Sequence, residues 1–160
     1  MDMTTAKNTL HLLAPLSGQT IALDKVPDPV FAERLTGDGL AIQPVGDTVL
    51  APCDGEITLF FDTKHAFAIT TPAGVQVLVH VGLDTIIMNG RGITALHQTG
   101  DKVKAGEPIL KLDLDLLQKK HINLISPVLI VNYDCVTQLE PLCAGRDVAA
   151  GTDSVLAYAV

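Results

Sequence analysis

The chain has 160 residues, 48% of them apolar, and a formal net charge of −7, enough for one domain (1–160, core about 11–160) to bury an interior without disulfides or a metal. No apolar run approaches the ~18 residues of a membrane-spanning helix, and the opening MDMTTAKNTLHLLAPLSG lacks the basic-then-apolar order of a secretory signal. The acidic balance disfavours nucleic acid and anionic membrane as partners, while leaving a basic protein open.

In chain order, the elements are short Val/Ile/Leu/Thr-rich runs broken by Gly, Pro and Asp. GQTIALD (18–24), GLAIQPV (39–45), TVLAPC (48–53), GEITLFF (55–61), HAFAIT (65–70), VQVLVHVG (75–82), PILKLD (108–113) and PVLIVN (127–132) each suit a strand. PDPVFAERL has room for about two helical turns, with Asp28 as a cap before Pro29. DLLQKKHINL suits a second short helix after Asp113 or Asp115. Strands recurring about every ten residues with turn signals between them predict an all-β, antiparallel sandwich with one or two short helices.

Two segments repeat an L-A-P-x-x-G frame, LLAPLSGQTIALD (12–24) and VLAPCDGEITLFF (49–61), and LISPVLIVNYD (124–134) is a looser third copy. Pro at strand starts followed by Gly at a turn suits repeated hairpins. Gly37-Asp38-Gly39 reads as turn chemistry. Cys53, Cys135 and Cys143 are odd in number and lack a CxxC spacing, which argues against a disulfide framework or a zinc ribbon and for a reducing cytoplasm.

The candidate chemistry lies in HAFAITTPAGVQVLVHVGLD (65–84). TPAG suits a type I turn, and a hairpin centred on Pro72-Ala73 sets Ile69 against Gln76, Phe67 against Leu78 and His65 against His80. Both imidazoles then share a face with Phe67 and Leu78, while Val75, Val77, Val79 and Val81 face the core. A bulge would move one strand's side chains to the other face. Metal ligation, an acid–base relay and a phosphoryl-accepting histidine with a helper all suit such a pair. For zinc, two histidines are too few, and no third ligand lies nearby in sequence.

The blocks APLSG, VPDPVFAERLTGDGLAI, VLAPCDGEI, TKHAFAI, VLVHVGLDT, GDKVKAGEPILKLDLDLL and SPVLIVN resemble, in order and spacing, enzyme IIA of the glucose class of the phosphoenolpyruvate-dependent sugar phosphotransferase system. The resemblance implies a sandwich of the barrel-sandwich hybrid type. It implies that His80, in V-H-x-G-[IL]-[DE]-T, accepts a phosphoryl group on Nε2 from the histidine of HPr. His80 then donates the group to a cysteine of a permease IIB domain, with Nδ1 bonded to a backbone acceptor. His65 matches the second histidine, which hydrogen-bonds the phosphoryl oxygens, and Thr63 the threonine supporting it. Gly82 is expected to leave space for an approaching phosphate.

Val30, Phe31, Leu35, Phe61, Phe67, Leu78 and Ile86 match a shallow apolar docking face, flanked by Asp28 and Asp84. No cofactor is required, and zinc is expected at His65 and His80 only together with a partner. Regulated proteins are possible further partners. The resemblance leaves open the sugar and whether the chain works alone. The arm before LLAPLSG is short and polar, with no counterpart of the amphipathic tail of some relatives. His11, His97 and His121 read as surface or structural residues, and Lys64 as a solvated one. Two other classes compete: a lipoyl- or biotinyl-type carrier with Lys64 as its attachment site, and a zinc hydrolase using His65 and His80.

Overall fold

The computed structural model describes residues 9–142 and 145–160; Cys143 and the first eight residues of the N-terminal arm lie outside the described residues. The strands are β1 (Thr9–Leu13), β2 (Gly18–Ala22), β3 (Asp38–Pro44), β4 (Thr48–Leu50), β5 (Gly55–Phe60), β6 (Ala66–Thr70) and β7 (Gln76–His80). They continue as β8 (Ile93–Ala95), β9 (Lys102–Val103), β10 (Pro108–Leu112), β11 (Ser126–Ile130), β12 (Thr137–Pro141), β13 (Asp147–Val148) and β14 (Ser154–Ala159). Every pairing is antiparallel. One large sheet runs β13-β2-β3-β11-β7-β6-β5-β9, and two smaller ones run β1-β14-β12 and β4-β10-β8. The expected antiparallel β-sandwich is what the chain forms.

Alternation along the strands divides the large sheet between two apolar clusters. Leu40 and Ile42 of β3, Phe67 and Ile69 of β6, Val77 and Val79 of β7, and Val128 and Ile130 of β11 face the main core. Their neighbours Ala41, Ala66, Ala68, Leu78 and Leu129 face a smaller cluster on the other side, covered by Leu23, Val26 and Phe31. The cover is a 3-10 turn, Leu23–Lys25, and a one-turn helix α1, Pro29–Ala32. Helix α1 is shorter than the two turns predicted. Its start is as expected: Pro29 at the first position, and the Asp28 carboxylate accepting from the Val30 amide at 3.1 Å. Helix α2 (Leu114–Lys119) is capped by Asp113, which accepts from the Leu116 amide.

The L-A-P-x-x-G repeat marks an internal two-fold-like arrangement. In both copies Ala-Pro makes a bend and the glycine opens a strand, β2 or β5. The copies exchange bonds: the Leu13 amide donates to the Pro52 carbonyl (2.9 Å) and the Leu50 amide to the Pro15 carbonyl (2.8 Å). Gly18 pairs with Val148 of β13 as Gly55 pairs with Val103 of β9. The Gly151 amide donates to Ala14 and the Gly106 amide to Ala51, so the V-x-A-G segments at 103–106 and 148–151 form a second repeat. The looser third copy does not bend: its Ser126 and Pro127 lie within β11.

Gly37-Asp38-Gly39 is not a turn. Asp38 and Gly39 open β3, and a Cβ at Gly39 would stand 2.1 Å from the Val128 carbonyl oxygen. These glycines let β3 lie close against β11.

The hairpin register also differs from expectation by one residue. The Gly74 amide closes a turn onto the Thr71 carbonyl, and the Thr71 amide bonds the Val75 carbonyl. Gly74, at φ +87°, is an extra left-handed residue after the turn. Ala66 therefore faces His80, Phe67 faces Val79 and Ala68 faces Leu78. Phe67 moves from the expected docking face into the main core, at 0% exposure. Phe67→Ala should lower unfolding free energy by about 3–5 kcal/mol in urea titrations, whereas Phe61→Ala, at a ring 37% exposed, should cost clearly less.

Candidate functional site

The site forms where β7 leaves the large sheet. β7 pairs with β11 at Val77, Val79 and the intervening Leu78. The next position on β11 is Pro127, which has no N–H to extend the ladder. Beyond His80 the chain leaves β11 and turns through Gly82, at φ +77°. A Cβ on Gly82 would come 2.2 Å from the Thr85 hydroxyl and 2.9 Å from the Asn123 carbonyl. Glycine is thus required by close packing and a left-handed backbone. The buried Thr85 hydroxyl donates back to the Val81 carbonyl, which closes the turn.

His80 lies half-buried at the end of β7, over Ala66 and beside Phe31, whose ring meets the imidazole edge-on at 5.0 Å. Its Nδ1 lies 2.8 Å from the Gly82 carbonyl oxygen. A carbonyl only accepts, so Nδ1 carries the proton, and in the neutral ring Nε2 keeps a lone pair. Ala66 and Ala68 beneath it are small and buried in the smaller apolar cluster.

His65 reaches His80 by a route that the sequence pattern does not show. In the observed register it stands opposite Val81, whose amide donates to the His65 carbonyl at 2.6 Å. A regular strand would turn its side chain away from His80. Strand β6 begins only at Ala66, however, and the preceding Lys64 is left-handed, at φ +61°. Strand alternation therefore does not govern His65. The two rings meet edge-to-face with centroids 4.8 Å apart, and Phe61 packs against His65 at 5.1 Å. Thr63, in the turn rather than on a strand, places its hydroxyl 2.5 Å from His65 Nδ1. His65 is 2% exposed. Lys64 is half-buried, not fully solvated, with its stem near Gly90.

Burial pushes the proton affinity of both rings down. His65 is lowered to about 4 by desolvation, with the neighbouring His80 adding to the effect. For His80, desolvation also wins, against the opposing pull of the Gly82 carbonyl and the Asp28 carboxylate. Two adjacent neutral imidazoles result, one with its free nitrogen defined.

Around the pair, Val30, Phe61, Ile86 and Leu35 are exposed as expected. Ile87, beside Ile86 on the 3-10 turn Thr85–Met88, is 71% exposed; no sequence motif singled it out. Phe31 and Leu78 form buried floor rather than contact surface. Asp84 is exposed at the head of that turn. The other histidines lie elsewhere. His11 and His121 are exposed, and His97 sits between Asp101 and Glu107, each 3.0 Å from a ring nitrogen. Burial and the nearby Asp54 push the Cys53 thiol up to about 12, which leaves it no thiolate character at neutral pH. Among the described residues no group of three or more His, Cys, Asp or Glu side chains could hold a metal ion, and no helix is long and apolar enough to cross a membrane.

A family model described as phosphoenolpyruvate-dependent sugar phosphotransferase system, EIIA 1, matches residues 10–136. The chain is 45% identical over 140 residues to the PTS system glucose-specific EIIA component of Borreliella burgdorferi, spanning 88% of this chain and 74% of that protein. It is 42% identical over 147 residues to the PTS system N-acetylglucosamine-specific EIICBA component of Klebsiella pneumoniae, spanning 92% of this chain but only 23% of that protein. Among solved structures, glucose permease IIA from Mycoplasma capricolum matches with a TM-score of 0.84 and 37% identity, over 93% of this chain and 95% of that one.

The depressed proton affinities set a pH dependence. As pH falls from 6.5, the ordinary histidine value, the unfolded chain binds protons that the folded protein does not yet take up. Stability is therefore full above 6.5 and declines toward about 4. NMR titration should place the His65 inflection near pH 4 and that of His80 below 6.5, with Tm falling across the same range. A His65 inflection at or above 6.5 would contradict the geometry.

Proposed function

Because the chain belongs to the EIIA 1 family of the phosphoenolpyruvate-dependent sugar phosphotransferase system, we propose that His80 takes a phosphoryl group from the phosphohistidine of HPr and passes it to a cysteine of a IIB domain during sugar uptake. The bond between His80 Nδ1 and the Gly82 carbonyl carries this reading. It keeps the proton on Nδ1 and the lone pair on Nε2, as a nucleophile toward phosphorus requires. In the forward step the P–N bond of HPr breaks as a P–Nε2 bond forms. No proton has to leave a nitrogen that is already unprotonated.

Such transfer depends on positioning and on stabilising charge spread over three phosphoryl oxygens. His65 suits the second task. When the Thr63 hydroxyl donates to Nδ1, the neutral ring carries its proton on Nε2 and can donate it to a phosphoryl oxygen. A neutral donor stabilises the phosphorylated state without binding it as tightly as a cation would, which favours onward transfer.

The surface fits protein partners. Val30, Leu35, Phe61, Ile86 and Ile87 are exposed apolar side chains, which supports a docking surface on this side of the protein. Asp28 and Asp84 supply negative charge for basic groups on HPr. The same face could bind regulated proteins when unphosphorylated. The reaction takes place in the cytoplasm and needs no resident cofactor; zinc would join His65 and His80 only with a partner's ligand. The curated relatives include glucose- and N-acetylglucosamine-specific components, and the glucose class is the sugar class we assign. The carrier reading loses its footing, since Lys64, although in the turn joining β5 to β6, is half-buried with its stem near Gly90 and not exposed as an attachment lysine must be.

Incubation with enzyme I, HPr and phosphoenolpyruvate should place an acid-labile phosphate on His80; a mass shift on Lys64 instead would favour the carrier. His80→Gln should abolish labelling. His65→Gln should still accept the group but pass it to a IIB domain at least tenfold more slowly, about 1.4 kcal/mol in the barrier. Complete loss of acceptance in His65→Gln, with retention in His80→Gln, would reverse the two roles.

A further inference from the structure

The loop that receives the His80 proton is itself held by a segment just before and at the start of β11. The peptide unit joining Gly82 and Leu83 is bonded at both ends. Its carbonyl accepts from His80 Nδ1 at 2.8 Å, and its N–H donates to the Asn123 carbonyl at 2.8 Å. The unit before it is held too, since the Gly82 amide donates to the Ser126 hydroxyl oxygen at 3.1 Å. That hydroxyl spends its own proton on the Leu124 carbonyl at 2.7 Å. Ser126 is fully buried, at 0% exposure, so its hydroxyl has no water to exchange with and its direction is set. The Asn123 side chain caps the Ile125 amide at 3.0 Å, which fixes the segment presenting both groups.

We propose that Ser126 is a positioning residue for His80: through the Gly82 amide it holds the Gly82 carbonyl on Nδ1 and so keeps the His80 proton off the nucleophilic nitrogen. Gly82 is a glycine in the left-handed region and, unlike other residues, can readily rotate away from it. Hydrogen bonds, not a Cβ, hold this backbone in place. Without the Ser126 acceptor the buried Gly82 amide is left unsatisfied, and the turn relaxes to recover a partner. The carbonyl then moves off Nδ1, and nothing prevents the neutral ring from carrying its proton on Nε2. The consequence for phosphoryl transfer rests on the phosphocarrier reading; the consequence for the tautomer does not.

The test measures the tautomer on the unphosphorylated protein by long-range ¹H–¹⁵N NMR above pH 7. In the parent protein, His80 should show a protonated, pyrrole-type Nδ1 and a pyridine-type Nε2. In Ser126→Ala the two nitrogen shifts should move toward one another as the second tautomer populates. Acceptance from phospho-HPr should slow by about tenfold, the scale of one buried hydrogen bond. Ser126→Thr keeps the hydroxyl and should restore both readouts. If Ser126→Ala does not fold, Ser126→Cys, with similar volume but a poorer acceptor, serves the same test. An unchanged His80 tautomer in a folded Ser126→Ala or Ser126→Cys protein overturns the proposal. A shifted tautomer supports it even if HPr proves not to be the donor, so failure of the phosphocarrier reading would be seen separately.

Discussion

A single proton, held on one side of one imidazole, is the constraint around which this end of the molecule is arranged. The His80 nitrogen that bonds Gly82 carries the proton and has no lone pair to offer, so the bond divides the ring into a tethered side and a free side. Several features serve that division. Pro127 stops the β7 ladder at the right residue, Gly82 permits the turn, and Thr85, Asn123 and Ser126 hold it. Electrostatics pull in both directions. Burial favours the neutral ring, while the Gly82 carbonyl and Asp28 resist complete suppression of protonation. Burial prevails in that contest, and the ring stays neutral with its lone pair available.

The same position is coupled to folding through Phe31. This ring is part of the smaller apolar cluster with Leu78 and Leu129, and it also meets His80 edge-on. Seating α1 on the sheet and orienting the histidine are therefore one packing event. The alanines of β6 matter for the same reason. Larger residues at Ala66 and Ala68 would fill the floor, lift α1 and displace the ring.

Much of this was legible in the sequence, and what was not has definite causes. The strands around the site follow alternation, and both helix starts follow their Asp caps. The histidine pair was found, but its register argument failed at Gly74, where one left-handed residue after the turn shifts every pairing. That shift exchanged Phe67 between faces. His65 still met His80 because a second left-handed residue, Lys64, lies just before it. Two local backbone irregularities thus offset one another, which alternation alone cannot reveal. Strands β9 and β13 have two residues each and carry no period to detect. In β14, five of six residues are buried, so its inward and outward faces look alike. Strand β12 is largely exposed and mixed in composition, which hides its pairing.

The bonds exchanged between the two Ala-Pro bends have a consequence for how the chain acquires its shape. Each bend is completed by a backbone group from the other copy, and each is then closed by a segment still farther along the chain. Neither copy can therefore mature alone as a local nucleus. The earliest productive event must join distant stretches, with a large loss of chain freedom before much is gained. Such a topology folds slowly for its size and late in synthesis, once the C-terminal V-x-A-G segment is available to close the first bend.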